Sequence, residues 1–81
     1  MNDLITLSIG EDYHLERGKD HIVYAGMPSE NVYSIVQRKA IEYGGEAWNL
    51  FYPIKQHDIT IDKVNLFVEK ATPSEIRLRI R

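Results

Sequence analysis

The sequence predicts an α+β fold, a two-layer sandwich in which one helix packs on a mostly antiparallel sheet of about five strands. Several short segments alternate apolar and polar residues, which is typical of half-buried strands. One segment in the middle of the chain carries apolar residues at helical spacing. The chain has 81 residues, which is enough for a single domain covering residues 1–81.

The composition is that of an ordinary globular protein. Hydrophobic residues make up 43% of the chain and charged residues 27%, which is the normal range for a soluble domain. The absence of cysteine excludes a disulfide framework and thiolate metal sites. No segment has the ~20 apolar residues that a membrane helix requires, and the N-terminus lacks the pattern of a signal peptide. We therefore predict a soluble, cytoplasmic protein.

The predicted strands share alternating, β-branched or aromatic residues between turn-forming residues. They cover residues 4–9, 13–15, 21–25, 46–52, 59–61, 64–69 and 76–80. Pro53 ends the fourth of these segments, because proline cannot donate a ladder hydrogen bond. A turn over residues 72–75 joins the last two strands as a hairpin. With the helix included, the predicted order is β-β-(β)-α-β-β-β.

The helix is predicted over about residues 30–43. Ser29 is a favourable N-cap residue, because its hydroxyl can accept a hydrogen bond from an N–H of the first turn. Four apolar side chains share one stripe of this helix: Val32, Val36, Ala40 and Tyr43. The two glycines that follow are expected to end the helix.

One helix leaves one face of the sheet open. A helix of about fourteen residues is ~21 Å long and can cover only one side. Alternation places one set of residues toward the helix: Ile5, Leu7, Ile9, Trp48, Leu50, Tyr52, Val64, Leu66, Val68, Ile76, Leu78 and Ile80. The open face receives the two phenylalanines and three arginines that we predict as an interface: Phe51, Phe67, Arg77, Arg79 and Arg81.

That open face has three interpretations. It could be an ordinary solvated face, since alternating strands normally have one. It could be a protein interface, because exposed aromatic residues and arginine are enriched at interface hot spots. It could be a stacking platform for single-stranded nucleic acid. The formal net charge of -2 disfavours the last interpretation.

No arrangement of residues predicts catalysis, a metal or a cofactor. His14, His21 and His57 lack the spacing of a metal site. A charged turn explains the cluster of Glu11, His14 and Glu16 better than a bound cation does. The neighbouring pair of His57 and Asp58 has no nucleophile to complete an active site.

We therefore expect a small non-enzymatic protein-binding module, such as a regulator, an inhibitor or an immunity or accessory factor. It would act through the sheet face that the helix does not cover. The expected partner is another protein, with a second copy of the chain in a homodimer as one candidate. The alternative function is nucleic-acid binding through the aromatic and arginine residues of the same face.

Overall fold

The computed structural model describes residues 4–15, 20–39 and 46–81, and within these residues it contains strands and no helix. The strands are β1 (Leu4–Ser8), β2 (Asp12–His14), β3 (His21–Ser29), β4 (Val32–Arg38), β5 (Ala47–Pro53), β6 (Asp58–Ile61), β7 (Val64–Ala71) and β8 (Glu75–Ile80).

The strands form two antiparallel sheets of four strands each. The first sheet has the order β1-β8-β7-β6, so the first and last strands of the chain are paired. The second sheet is the meander β2-β3-β4-β5, in which each strand pairs with the next one in sequence. The chain passes from the first sheet to the second after β1 and returns after β5.

The core is a single apolar layer between the inner faces of the two sheets. Each fully buried aliphatic or aromatic side chain contributes ~1.5–3 kcal/mol to folding. Both sheets supply the buried set, which consists of Ile5, Leu7, Leu15, Ile22, Tyr24, Tyr33, Ile35, Ile59, Ile61, Val64, Leu66, Val68, Ile76 and Leu78. The two layers of the sandwich are therefore both sheets.

The prediction of an α+β fold is wrong, because the segment assigned to the helix contains β4. This strand lies inside the second sheet, hydrogen-bonded to β3 on one side and β5 on the other. Tyr33 and Ile35 point into the core with period two. Valine, isoleucine and tyrosine favour strands, and apolar residues at both Val32 and Val36 made the same segment compatible with a helical stripe.

The Ser29 hydroxyl caps a hairpin turn instead of a helix. Ser29 pairs with Val32 across a two-residue turn between β3 and β4. Its Oγ accepts a hydrogen bond from the Asn31 N–H at 3.4 Å. The same side-chain chemistry serves both helix caps and turns. The predicted end of the helix, residues 40–43 with the following glycines, lies outside the described residues.

The strands predicted on either side of the helix are confirmed, with ends shifted by a few residues. Alternation also assigned most inner-face residues correctly, including Leu7, Leu66 and Leu78, all of which are buried. It was wrong for Ile9, which is 55% exposed. Period-two patterning thus identified the core face of the first sheet, although the layer covering it is a sheet.

A bulge in β3 requires glycine at residue 26. The pairing of β3 with β4 shifts between Tyr24 and Gly26, and Gly26 has a φ of 88°. A Cβ built at this residue would lie 3.1 Å from Cδ1 of Ile9 and 3.5 Å from the carbonyl oxygen of Pro73. The positive φ favours glycine at this position, and a side chain there would also have to displace the end of Ile9 by a few tenths of an ångström.

We expect Gly26→Ala to destabilise the fold more than Gly10→Ala does. Gly10 has a nearly identical φ of 86° but open space around its Cβ position. Both substitutions carry the ~1 kcal/mol cost of placing a Cβ at a positive φ, and Gly26→Ala must in addition displace the Ile9 side chain. Urea unfolding of both variants measures the difference. Equal losses would contradict the crowding at Gly26.

Two buried tyrosines hydrogen-bond to backbone carbonyls outside their own sheet. The Tyr24 hydroxyl donates to the carbonyl oxygen of Thr72 at 2.5 Å, in the turn between β7 and β8. The Tyr33 hydroxyl donates to the carbonyl oxygen of Gln56 at 2.6 Å, in the connection from β5 to β6. Burial raises the pKa of Tyr33, and the nearby Tyr52 phenol raises it further. The folded chain therefore holds Tyr33 in its neutral, donating form.

We expect Tyr33→Phe to lower the free energy of unfolding by about 1–2 kcal/mol near neutral pH, because the Gln56 carbonyl loses its partner. An unfolded tyrosine ionises around its ordinary pKa of 10.0, whereas folded Tyr33 has a raised pKa. The contribution of neutral Tyr33 to the free energy of unfolding is thus fully present below about pH 10 and falls as pH rises above it. The variant should lose less stability in this alkaline range. Urea unfolding at several pH values in that range measures the difference. An equal loss of unfolding free energy in the original chain and in the variant would contradict the role of Tyr33.

Candidate functional site

Four of the five predicted interface residues lie together on the outer face of the first sheet. Phe67 on β7 is directly opposite Arg79 on β8, and the Arg81 guanidinium lies over the Phe67 ring at 4.7 Å from its centroid. Arg77 lies on the same side of β8 as Arg79. We call Phe67, Arg77, Arg79 and Arg81 the arginine face.

Each arginine of this face has a carboxylate beside it, at the following distances. Arg79 Nε is 2.5 Å from Glu69 Oε2, Arg81 Nη1 is 3.7 Å from Asp58 Oδ1, and Arg77 Nε is 3.8 Å from Glu75 Oε2. Exposed pairs of this kind contribute at most about 1 kcal/mol to stability. The carboxylates offset part of the positive charge of the arginine face, although the exposed Lys70 lies directly opposite Arg77 and adds a further cation.

His57 packs beside the arginine face and is held by the backbone. Its ring stacks on Phe67 with a centroid distance of 5.7 Å. Its Nδ1 is 2.6 Å from the carbonyl oxygen of Val68, so Nδ1 carries the proton and donates it. The Asp58 carboxylate approaches Arg81. These contacts fix the orientation of the His57 ring and give it a packing role.

The structure does not bring Phe51 to the arginine face. Phe51 lies on β5, an edge strand of the second sheet, whereas Phe67 lies on β7 in the first. The prediction of one shared surface assumed a single sheet, and that assumption is wrong. Phe51 and the arginine face therefore lie on two separate surfaces.

The strand β5 is the most exposed apolar strand in the described part of the chain. Phe51 is 59% exposed and Trp48 is 37% exposed. Leu50 and Tyr52 alternate with Phe51 and pack against the core. The strand carries no charged residue. Sequence reasoning placed Trp48 in the core and thus missed that it is partly exposed at the edge of a sheet.

The backbone of β5 presents hydrogen-bonding groups along its outer edge. The Lys39 N–H donates to the carbonyl oxygen of Glu46 at 2.8 Å, and the Ile54 N–H donates to the carbonyl oxygen of Asn31 at 2.7 Å. Both pairs follow the register of β4 with β5. Hydrogen-bonded pairs alternate along an antiparallel ladder, so the even-numbered residues of β5 bond to β4. The odd-numbered residues direct their N–H and C=O groups away from β4: Ala47, Asn49, Phe51 and Pro53.

Pro53 fits this alternation. Its nitrogen has no hydrogen to donate, and it lies at an outward-facing position where β4 loses no bond. Within the described residues no strand pairs with this side of β5. We call the outward-facing backbone of Ala47, Asn49 and Phe51 the β5 edge. Proline in a strand-like segment was the sequence signal that could have indicated an edge strand.

A histidine cluster lies at the start of the second sheet. His14 and His21 are directly opposite each other, and their rings stack with a centroid distance of 4.6 Å. His21 Nδ1 is 2.6 Å from Asp12 Oδ1, and Arg38 pairs with the same carboxylate. Among the residues that the structure describes, no group of three potential ligands is arranged to hold a metal ion. Glu16, the third residue of the charged cluster with Glu11 and His14, lies outside the described residues.

Comparison with known proteins gives no functional assignment. Searches against protein-family models, curated proteins and solved structures found no match. In the described part of the chain, no helix is long and apolar enough to span a membrane. Any statement about function therefore depends on the two surfaces described above.

We expect the chain to bind single-stranded DNA no more tightly than the double variant Arg77→Ala, Arg79→Ala. The carboxylates beside both cations and the formal net charge of -2 oppose phosphate binding, so the original chain should already show little binding for the substitutions to remove. Fluorescence anisotropy of a labelled oligonucleotide at about 50 mM salt measures this. Tight, salt-dependent binding that the double variant loses would restore the nucleic-acid alternative.

Proposed function

We propose that the chain is a small non-enzymatic protein-binding module that accepts an extended strand of its partner on the β5 edge. The observation that carries this proposal is an uncharged edge strand of seven residues, Ala47–Pro53, with Trp48 and Phe51 exposed. Strand addition to a sheet edge is a common mode of peptide recognition. The backbone supplies affinity, and the flanking side chains supply selectivity.

The β5 edge has the chemistry that such binding requires. Asn49 and Phe51 each direct one N–H and one C=O outward, as the alternation of the ladder with β4 dictates. A partner strand would satisfy these groups and cover part of the Trp48 indole and the Phe51 ring. Tryptophan and other aromatic residues are enriched where interfaces concentrate binding energy.

The other three edge strands are shorter than β5, and two of them have some of their outward-facing backbone groups occupied. On β1, the Ser8 N–H donates to Glu11 Oε1 at 2.7 Å, and the Ser8 carbonyl oxygen accepts from the Glu11 N–H at 3.0 Å. On β6, which has four residues, the Asp58 carbonyl oxygen accepts from the Gln56 side chain at 3.3 Å. β2 has three residues, among them the charged Asp12. Short and charged edge strands resist pairing with another chain, so β5 is the edge that favours it.

Each histidine makes contacts that a structural role explains. His57 donates to a backbone carbonyl, and His21 pairs with Asp12. His14 stacks on His21 in the same cluster. All three side chains thus have structural contacts.

We expect a displayed library of random peptides to yield extended peptides that bind the chain when it is immobilised at low density. Trp48 is the only tryptophan, so a change in its fluorescence reports binding at β5 directly. Hydrogen exchange at the Asn49 and Phe51 amides should slow on binding, because these N–H groups enter a ladder.

A matched pair of variants checks that the peptides use the edge. Phe51→Pro removes an outward-facing N–H while leaving the bonds to β4, and it should abolish binding without unfolding the chain. Phe51→Leu retains the N–H and should weaken binding only modestly. If no peptides are selected, or if they bind Phe51→Pro as well as the original chain, the proposed function is wrong.

A further inference from the structure

We infer that the occupant of the β5 edge is a second copy of this chain, paired antiparallel through β5 with Asn49 on the two-fold axis. This inference rests on the proposed function, that the β5 edge accepts a strand. It adds the identity of the partner and the register of the pairing. Two-fold dimers are the commonest closed assemblies, and they pair the same surface on both copies.

The hydrogen-bonding groups of the β5 edge complement themselves in this register. With Asn49 opposite Asn49 of the second copy, Ala47 faces Phe51 of the other copy at both ends. Each of these three residue pairs exchanges two backbone hydrogen bonds, so the register forms six. Pro53 stays outside the paired region, where its missing N–H leaves no gap in the ladder.

A shift of the pairing by one residue on each copy is less favourable. It would place Pro53 opposite Ala47, and the Ala47 carbonyl would face a nitrogen that carries no hydrogen. The shift would leave one unmatched acceptor at each end of the paired strands. The register centred on Asn49 avoids the pairing of Pro53 with Ala47 and the unmatched carbonyl that it would leave.

The side chains of β5 also match in this register. On the outer face, the Asn49 amides of the two copies meet and can hydrogen-bond to each other, and Phe51 lies across from Ala47. On the opposite face, Trp48 lies across from Leu50 of the second copy. The indole is 37% exposed in the single chain, and this contact would cover it.

Charge favours an antiparallel pair of copies. β5 itself carries no charge, so pairing places no like charges opposite each other. Exposed Glu46 lies just before the strand and exposed Lys55 just after it. In an antiparallel pair, Glu46 of one copy and Lys55 of the other lie at the same end. The product would be one continuous sheet of eight strands formed by the two second sheets.

Sedimentation equilibrium of the full chain tests the inference. The original chain should have twice the mass of one chain at micromolar concentration. Asn49→Pro removes two central backbone hydrogen bonds and should be monomeric, whereas Asn49→Ala retains the N–H and should remain a dimer. Circular dichroism confirms that both variants are folded. A chain that stays monomeric at high concentration, or a dimeric Asn49→Pro variant, overturns the inference.

Cross-linking tests the register independently of stability. The chain has no cysteine, so any disulfide in an Asn49→Cys variant must join two copies at residue 49. The expected Cα separation of about 5.5 Å for this pair lies within the range that a disulfide spans. Under mild oxidation this variant should form a covalent dimer, whereas Asn65→Cys, exposed on the first sheet, should not. Equal yields would overturn the inference.

The two proposals can fail separately. A monomeric chain that still binds displayed peptides through the Phe51 N–H retains the proposed function and loses only the second copy as partner. A dimer that persists in both Asn49→Pro and Phe51→Pro does not use the β5 edge, so it overturns the second copy as the occupant. The peptide-binding measurements then decide the proposed function by themselves.

Discussion

The apolar layer between the two sheets is the interaction on which the rest of the structure depends. Neither four-stranded sheet could bury its inner face alone, because each face is half of the same core. The layer fixes the register of the strands, since a shift by one residue would exchange buried and exposed side chains. Leu66 and Leu78 in one sheet and Tyr24 and Ile35 in the other are all nearly inaccessible to solvent.

A sandwich of this kind protects the faces of its sheets but leaves edges, and this chain treats its edges unequally. Glu11 uses its own side chain and backbone to occupy the hydrogen-bonding groups of Ser8 on β1. The Gln56 side chain occupies the Asp58 carbonyl on β6. On β5 the Gln56 N–H occupies only the carbonyl of Pro53, the last residue of the strand, and the strand carries no lysine or glutamate to repel a partner strand. Edge strands without such protection tend to pair with other chains. The contrast between β5 and the other edges is therefore the reason to expect a partner strand at β5.

In the arginine face, a run of cations that suggests a binding site in the sequence lies beside carboxylates in the structure. The alternating arginines of β8 follow from a strand whose other side, with Ile76 and Leu78, fills the core. Their carboxylate neighbours come from other positions, among them Glu69 on β7 and Asp58 on β6. Glu75 precedes Arg77 on β8 itself, whereas the pairing of strands brings Glu69 and Asp58 to the other two arginines. A run of cations in a sequence therefore says little about surface potential until the neighbouring strands are known.

The sequence by itself determined most of the strands, the core side of the first sheet and the turn over residues 72–75, because alternation and turn chemistry are local properties. It could not decide the conformation of β4. A segment with Val32, Tyr33, Ile35 and Val36 satisfies a helical stripe and a buried strand equally well. The tertiary structure favours the strand conformation of β4, because β3 and β5 supply hydrogen bonds on both of its sides and the first sheet covers its inner face. The same decision placed Phe51 on a different sheet from Phe67 and made β5 an edge strand. Strand order depends on contacts between residues far apart in the chain, and no local pattern records those contacts.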